Sequence, residues 1–130
     1  MAIVLSPETV MACAIVAASN ARRPVLIEEV SGLFAKLRQE GVDGVGKVAL
    51  RKRPHGLYSE DVEAFFGRLL AAGFASAASP LSVNAQGLEL CHEMIQEEHQ
   101  ANPQALGKVA KALGFDIGAL TCQAGLRSSV

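Results

Sequence analysis

The segment PETVMACAIVAASN, residues 7–20, constrains the fold more than any other part of this 130-residue chain. Val10, Met11, Cys13, Ala14, Ile15, Val16 and Ala17 make it apolar almost all round. A helix of that kind must be enclosed, either by the rest of its own domain or by another chain. Its start is marked by Ser6-Pro7-Glu8: Ser as N-cap, Pro where a missing amide has no partner to lose, and Glu at the positive end of the helix dipole. The spacing predicts a first helix over 7–20.

So apolar an opening has to be tested as a leader or a membrane span. It has no basic segment in front of it, Pro7 and Glu8 interrupt the run, and Arg22-Arg23 follow the run instead of preceding it. Nowhere do about 18 apolar residues occur without interruption. The expected location is cytoplasmic, with no membrane contact.

Later segments supply the partners such a helix needs. A second helix begins near Pro24, with Leu26, Val30, Leu33, Phe34 and Leu37 on one stripe, and Gly41 ends it. GVDGVG, residues 41–46, is a loop, and KVALRKRP, residues 47–54, fits a short strand or a brief helix. Ser59 then caps a third helix whose stripe is Val62, Phe65, Phe66, Leu69 and Leu70, with Glu60 and Asp61 in its first turn and Gly73 at its C′ position. Residues 74–77 and 80–83 read as two short strands joined at Ser79-Pro80. Asn84 caps a helix over about 85–100 with Leu88, Cys91, Met94 and Ile95 on one side. Asn102-Pro103 opens a last helix carrying Leu106, Val109, Ala110 and Leu113, which Gly114 ends.

Half of the residues are hydrophobic, Trp is absent and aromatics are 5%, which favours close-packed helices over an aromatic-rich sandwich. The expected class is mainly α with a small β hairpin, α+β, as a single domain over residues 1–116 with a C-terminal extension over 117–130. Cys13, Cys91 and Cys122 are odd in number and lack a C-x-x-C spacing, so they are expected as reduced, buried small hydrophobes.

From Lys47 to about Gln96 the order of features resembles the winged helix-turn-helix group. The segment YSEDVEAFFGRLLAAGF, with its Tyr-Ser helix start and Leu-x-x-x-Gly ending, is similar to small bacterial and phage-associated winged-helix proteins, and LSVNAQGLEL stands where such proteins have a Leu-Thr-x-x-Gly before a helix. The resemblance implies a winged-helix-like domain with additional N- and C-terminal helices. In it the second and the Ser59 helices form the helix-turn-helix, residues 74–83 the wing, and the helix after Asn84 closes the core or supports a dimer. It implies DNA binding, or a winged helix reused for protein contacts; fold does not settle the choice.

Charge bears on that choice. With a formal net charge of −1 there is no global basic field to draw in nucleic acid, so any DNA contact must come from a local patch. A recognition helix points its first turns at base edges, and this one would present Glu60, Asp61 and Glu63 there, as groove-facing acids or as dipole partners on a solvated face. The cations lie just before it: Lys47, Arg51, Lys52 and Arg53, followed by His55, with Arg68 on the helix itself. These are the expected contacts to a phosphate backbone or to an acidic protein partner.

Two other motifs compete. Ala110, Gly114 and Leu120 match the Ala-x3-Gly-x5-Leu spacing of a repressor-type helix-turn-helix, but Gln123 stands where an apolar residue is wanted, and a helix ending at a C′ glycine explains the same residues. In CHEMIQEEH, Cys91, His92 and His99 are possible metal ligands, yet the two histidines are separated by about 10 Å of helix rise, and ordinary surface histidines are expected. No nucleophile elbow, phosphate loop or dinucleotide fingerprint occurs. The expected function is therefore a non-catalytic, DNA-associated regulatory or accessory protein, without cofactor, metal or small-molecule substrate. The alternative is a protein-interaction module on the same fold, binding a protein partner or forming a homodimer through the apolar N-terminal helix.

Overall fold

The computed structural model describes residues 6–42, 48–54, 56–78 and 80–114. It contains α1 (Pro7–Asn20), α2 (Ile27–Gln39), β1 (Arg51–Arg53), β2 (Gly56–Tyr58), α3 (Glu60–Ala71), β3 (Ala75–Ala78), β4 (Leu81–Val83), α4 (Ala85–Ala101) and α5 (Pro103–Ala112). The class is mainly helical with small antiparallel hairpins. Two hairpins are present where one was expected: β1 pairs with β2, and β3 with β4.

Every residue of α1 from Thr9 to Ala18 is buried. Its longest packing partner is α4, and α2 and α5 cover further sides. The apolar circumference that pointed to a homodimer is thus enclosed within its own chain. Around it one core runs from Val10 to Ala110, with Phe34, Phe66, Ile15, Leu37, Leu81, Ile95 and Leu106 as its largest fully enclosed side chains. Each such aliphatic or aromatic side chain contributes about 1.5–3 kcal/mol of transfer free energy.

Helix ends follow the sequence with some exceptions. Ser59 accepts from the Val62 amide at 3.3 Å, and Asn84 accepts from the Gly87 amide at 2.9 Å. Ser6 makes no cap bond; its hydroxyl donates to Glu8 and its amide donates to the Glu98 carboxylate at 3.2 Å, tying α1 to α4. Asn102 likewise has no cap bond and is buried at the α4–α5 corner. Leu26 and Leu70, expected on apolar stripes, are exposed, at 48% and 42%. Leu26 is the N-cap of α2, and what it loses is given to its neighbour: Val25 is buried and exchanges both backbone hydrogen bonds with Leu81.

His92 corrects the expectation of a surface histidine: it is 2% exposed. Leu88, Cys91, His92 and Ile95 occupy positions i, i+3, i+4 and i+7 of one helical stripe, so the side of α4 facing the core includes His92. Cys13 and Cys91 are buried as expected, and burial pushes both thiols up to about 12. Cys122 and the rest of residues 115–130, including the C-terminal extension and most of the second helix-turn-helix motif, lie outside the described residues. Gly114 has φ +77 after the Leu113 C-cap, which is how a C′ glycine ends a helix. None of the described helices is long and apolar enough to cross a membrane.

One knot joins α3 to α4. Gly73, at φ +85, turns the chain out of α3; the Asn84 side chain donates to its carbonyl at 2.7 Å, and the Asn84 amide donates to the Phe74 carbonyl at 3.0 Å. This brings the first turn of α4 so close that a Cβ at Gly87 would sit 2.2 Å from the Phe74 oxygen. Gly87→Ala is expected to destabilise by about 1–3 kcal/mol through overpacking. Gly67→Ala, in α3 with nothing within 4 Å of the new carbon, is expected to be neutral or stabilising by about 0.5–1 kcal/mol. Paired urea melts check both, and a Gly87→Ala protein as stable as the parent would refute the close approach.

Thiol chemistry gives a second check. A thiol whose pKa is near 12 is almost wholly protonated at pH 8, and the protonated form is a poor nucleophile. In a Cys122→Ser background, a disulfide reagent at pH 8 should label nothing until denaturant is added, and then label both remaining cysteines.

Candidate nucleic-acid interface

The basic triplet forms β1. Arg51, Lys52 and Arg53 are all exposed, and β1 pairs with β2 in the register Arg51 to Tyr58, Lys52 to Leu57 and Arg53 to Gly56. Side chains alternate across a strand, so Arg51, Arg53 and Tyr58 share one face and Lys52 and Leu57 the other. The Arg53 guanidinium lies 4.0 Å from the centre of the Tyr58 ring, a cation–π contact that holds its direction.

This ribbon is inserted between α2 and α3, where a helix-turn-helix has only a turn. Burial of the ribbon is slight, and specific polar contacts hold it. The segment leading into it is gripped from both sides: Arg38 of α2 donates to the Val48 carbonyl, and the Ala49 amide donates to the Asp61 carboxylate of α3 at 3.1 Å. Val48 itself is buried in the core. Beyond that, β2 runs alongside α2.

The ribbon changes what the acids of α3 do. Glu60 pairs with Arg51 at 3.0 Å, Asp61 takes the Ala49 amide, and the Tyr58 hydroxyl donates to Glu63. Each acid that would confront a phosphate is engaged by the ribbon or its approach. The Arg51–Glu60 pair is more than half exposed on both sides, so it stabilises by less than about 1 kcal/mol. It orients Arg51 more than it holds the fold.

Arg68 is elsewhere. Eight residues after Glu60 at about 1.5 Å per residue, it lies roughly 12 Å along α3, its guanidinium near the Phe65 ring. There it lines a cleft of about 280 Å3 with Pro7, Glu8, Met11, Val48, Asp61 and Ala64. Lys52 and Arg53 are therefore brought together with Arg51 on one ribbon, Arg68 stands apart, and Lys47 and His55 lie outside the described residues. Sequence reasoning missed Tyr58 as a member of the site, although its place one residue before the Ser59 cap was visible. Among the described residues no group of three His, Cys, Asp or Glu side chains could hold a metal ion.

The hydrogen bond to Glu63 raises the pKa of Tyr58 above its ordinary value near 10, with desolvation and the Glu63 charge adding to it. The neutral phenol is the form the fold prefers, so its contribution is present below pH 10 and is lost as pH rises through the raised value. Tyr58 is the chain's one tyrosine and Trp is absent, which makes an absorbance titration at alkaline pH specific to it. The midpoint should lie above 10 in the parent and fall in Glu63→Gln; an unchanged midpoint would remove the Tyr58–Glu63 contact from the site.

No family model, no curated protein and no solved structure matches this chain.

Proposed function

We propose that this chain is a non-catalytic, winged-helix-like protein that contacts the phosphate backbone of duplex DNA, as a regulatory or accessory factor, with the β1–β2 ribbon as its principal contact. The observation that carries this reading is the exposed triplet Arg51, Lys52 and Arg53 displayed on a ribbon between two helices. The order of elements supports the winged-helix part. On this reading α2 and α3 are the helix-turn-helix pair and β3–β4 is the wing, with Val25 bridged to Leu81 of the wing.

The contact is to backbone and not to bases. Phosphate contacts position a protein, while base edges are read by groups able to form paired hydrogen bonds in the groove. The exposed side of α3 offers Ala64 and Gly67 between Glu63 and Arg68, and Ala71 beyond them, none of which can make such a pair.

A second reading is favoured by the same uncharged surface: with Leu70 42% exposed beside Ala71, α3 could seat a protein partner and the ribbon an acidic part of it. Fluorescence anisotropy with a labelled random duplex of about 20 base pairs separates the two. The DNA reading expects micromolar-range binding at low salt, with a slope of log K against log salt near −3 for about three phosphate contacts. Arg51→Ala with Arg53→Ala should weaken binding by an order of magnitude or more and flatten the slope by about 2. Permuting the base sequence should change little. Absence of binding to any duplex at low salt would overturn the DNA reading and leave the protein-contact one.

A further inference from the structure

The arginines of the ribbon are held in two different ways. The Arg53 guanidinium lies 4.0 Å from the centre of the Tyr58 ring, and a ring face offers no oxygen that competes with a phosphate for its N–H donors. Arg51 instead places its Nη2 3.0 Å from Oε1 of Glu60, a carboxylate in the first turn of α3. To a guanidinium a carboxylate and a phosphate offer the same chemistry, anionic oxygens that accept from its planar N–H groups. Glu60 therefore holds on Arg51 the place that a phosphate of bound DNA would take.

The other two acids of that turn differ. Asp61 accepts from the Ala49 amide at 3.1 Å and Glu63 accepts from the Tyr58 hydroxyl, so the ribbon and its approach engage both through uncharged donors. Of the three, Glu60 is the one paired with a cation that the ribbon reading assigns to DNA. The pair is loose: its side chains are 63% and 57% exposed, and ion pairs so exposed are weak and screened by salt. A contact of that strength cannot shut the ribbon off. It must still be given up or shared before Arg51 serves a phosphate, and the released carboxylate then stands beside the DNA backbone as a like charge.

From this geometry we propose that Glu60 is a built-in competitor of the phosphate backbone, an intramolecular contact that keeps the affinity of the ribbon for duplex DNA below what its cations alone would give. The inference rests on the ribbon reading. Binding exchanges the Arg51–Glu60 pair for an Arg51–phosphate pair, whereas Arg53 engages without giving up a carboxylate. A duplex, with one negative charge per roughly 1.7 Å of axis, outweighs a single carboxylate; an isolated anion has no such advantage.

The test is an anisotropy titration of a random duplex of about 20 base pairs with the full chain as parent, Glu60→Gln, Arg51→Ala and the double variant. Glu97→Gln, on α4, makes the same change in net charge and serves as the control. At low salt Glu60→Gln should bind about three- to tenfold more tightly than the parent, and the gain should shrink as salt rises. In the Arg51→Ala background the same substitution should gain about twofold or less, as should Glu97→Gln in the parent. Binding by Glu60→Gln that equals or falls below that of the parent overturns the inference: the pair then positions Arg51 without competing for it. An equal gain in the Arg51→Ala background, or from Glu97→Gln, overturns it too, since net charge then accounts for the effect. In each of these cases the parent binds and the ribbon reading stands. If neither the parent nor Glu60→Gln binds any duplex at low salt, the ribbon reading itself falls and this inference with it.

Discussion

The rest of the molecule depends on the burial of α1. A helix apolar on every side cannot lie on a surface of a small domain, and a run of ten buried residues can be covered only by several elements at once. The long α4 takes one side, and α2 and α5 take others, which leaves α3 to pack beyond α2 and against β3. The peripheral place of α3 follows from that arrangement: Val62, Phe65, Phe66 and Leu69 are enough to anchor it, and its opposite side stays in solvent. The surface available for a partner is therefore a consequence of the core.

The acids at the start of α3 illustrate how a local motif takes its meaning from what lies next to it. In isolation Glu60, Asp61 and Glu63 are favourable partners of the helix dipole and unfavourable neighbours for a phosphate. Placed beside the ribbon, they receive Arg51, the Ala49 amide and the Tyr58 hydroxyl. Of the ribbon's cations, Arg51 is oriented directly by one of these acids, Glu60, while Arg53 is directed by the Tyr58 ring. Local pairing of this kind lets a cluster of cations be displayed on a chain whose net charge is only −1.

Much of this architecture was legible in the chain. Proline and a first-turn acid place the start of α1 at Pro7, Ser59 and Gly73 bracket α3, and Asn84 opens α4, because caps are local chemistry that tertiary context seldom overrides. The ribbon was only half visible, since three-residue strands are too short to show a period of two and the pairing partner GLY carries no strand signal of its own. His92 was misplaced by its polarity although its spacing from Leu88 and Ile95 put it on the buried stripe. Leu70 was misplaced the other way: it continues the periodicity of α3, but no element among the described residues covers it. The left-handed turn at Arg22 had no sequence signal, because a positive φ is visible only once the turn is built.

The ribbon and the C-terminal turn of α1 lie where the chain departs from the choices that would stabilise it most. β1 buries none of its three side chains, and an isolated two-stranded ribbon is marginal in water. Its persistence requires the tethers from Arg38, Asp61, Glu60 and Glu63, a set of polar contacts that a simple turn between α2 and α3 would not need. Arg22 occupies a left-handed turn that glycine would fill without strain. A sequence whose caps, stripes and core agree elsewhere departs from that agreement at two places, and each departure presents guanidinium groups to solvent. At position 22 the C-terminal end of α1 favours a cation, which offsets part of the strain that glycine would avoid; the ribbon has no such local compensation and is held by its polar tethers alone.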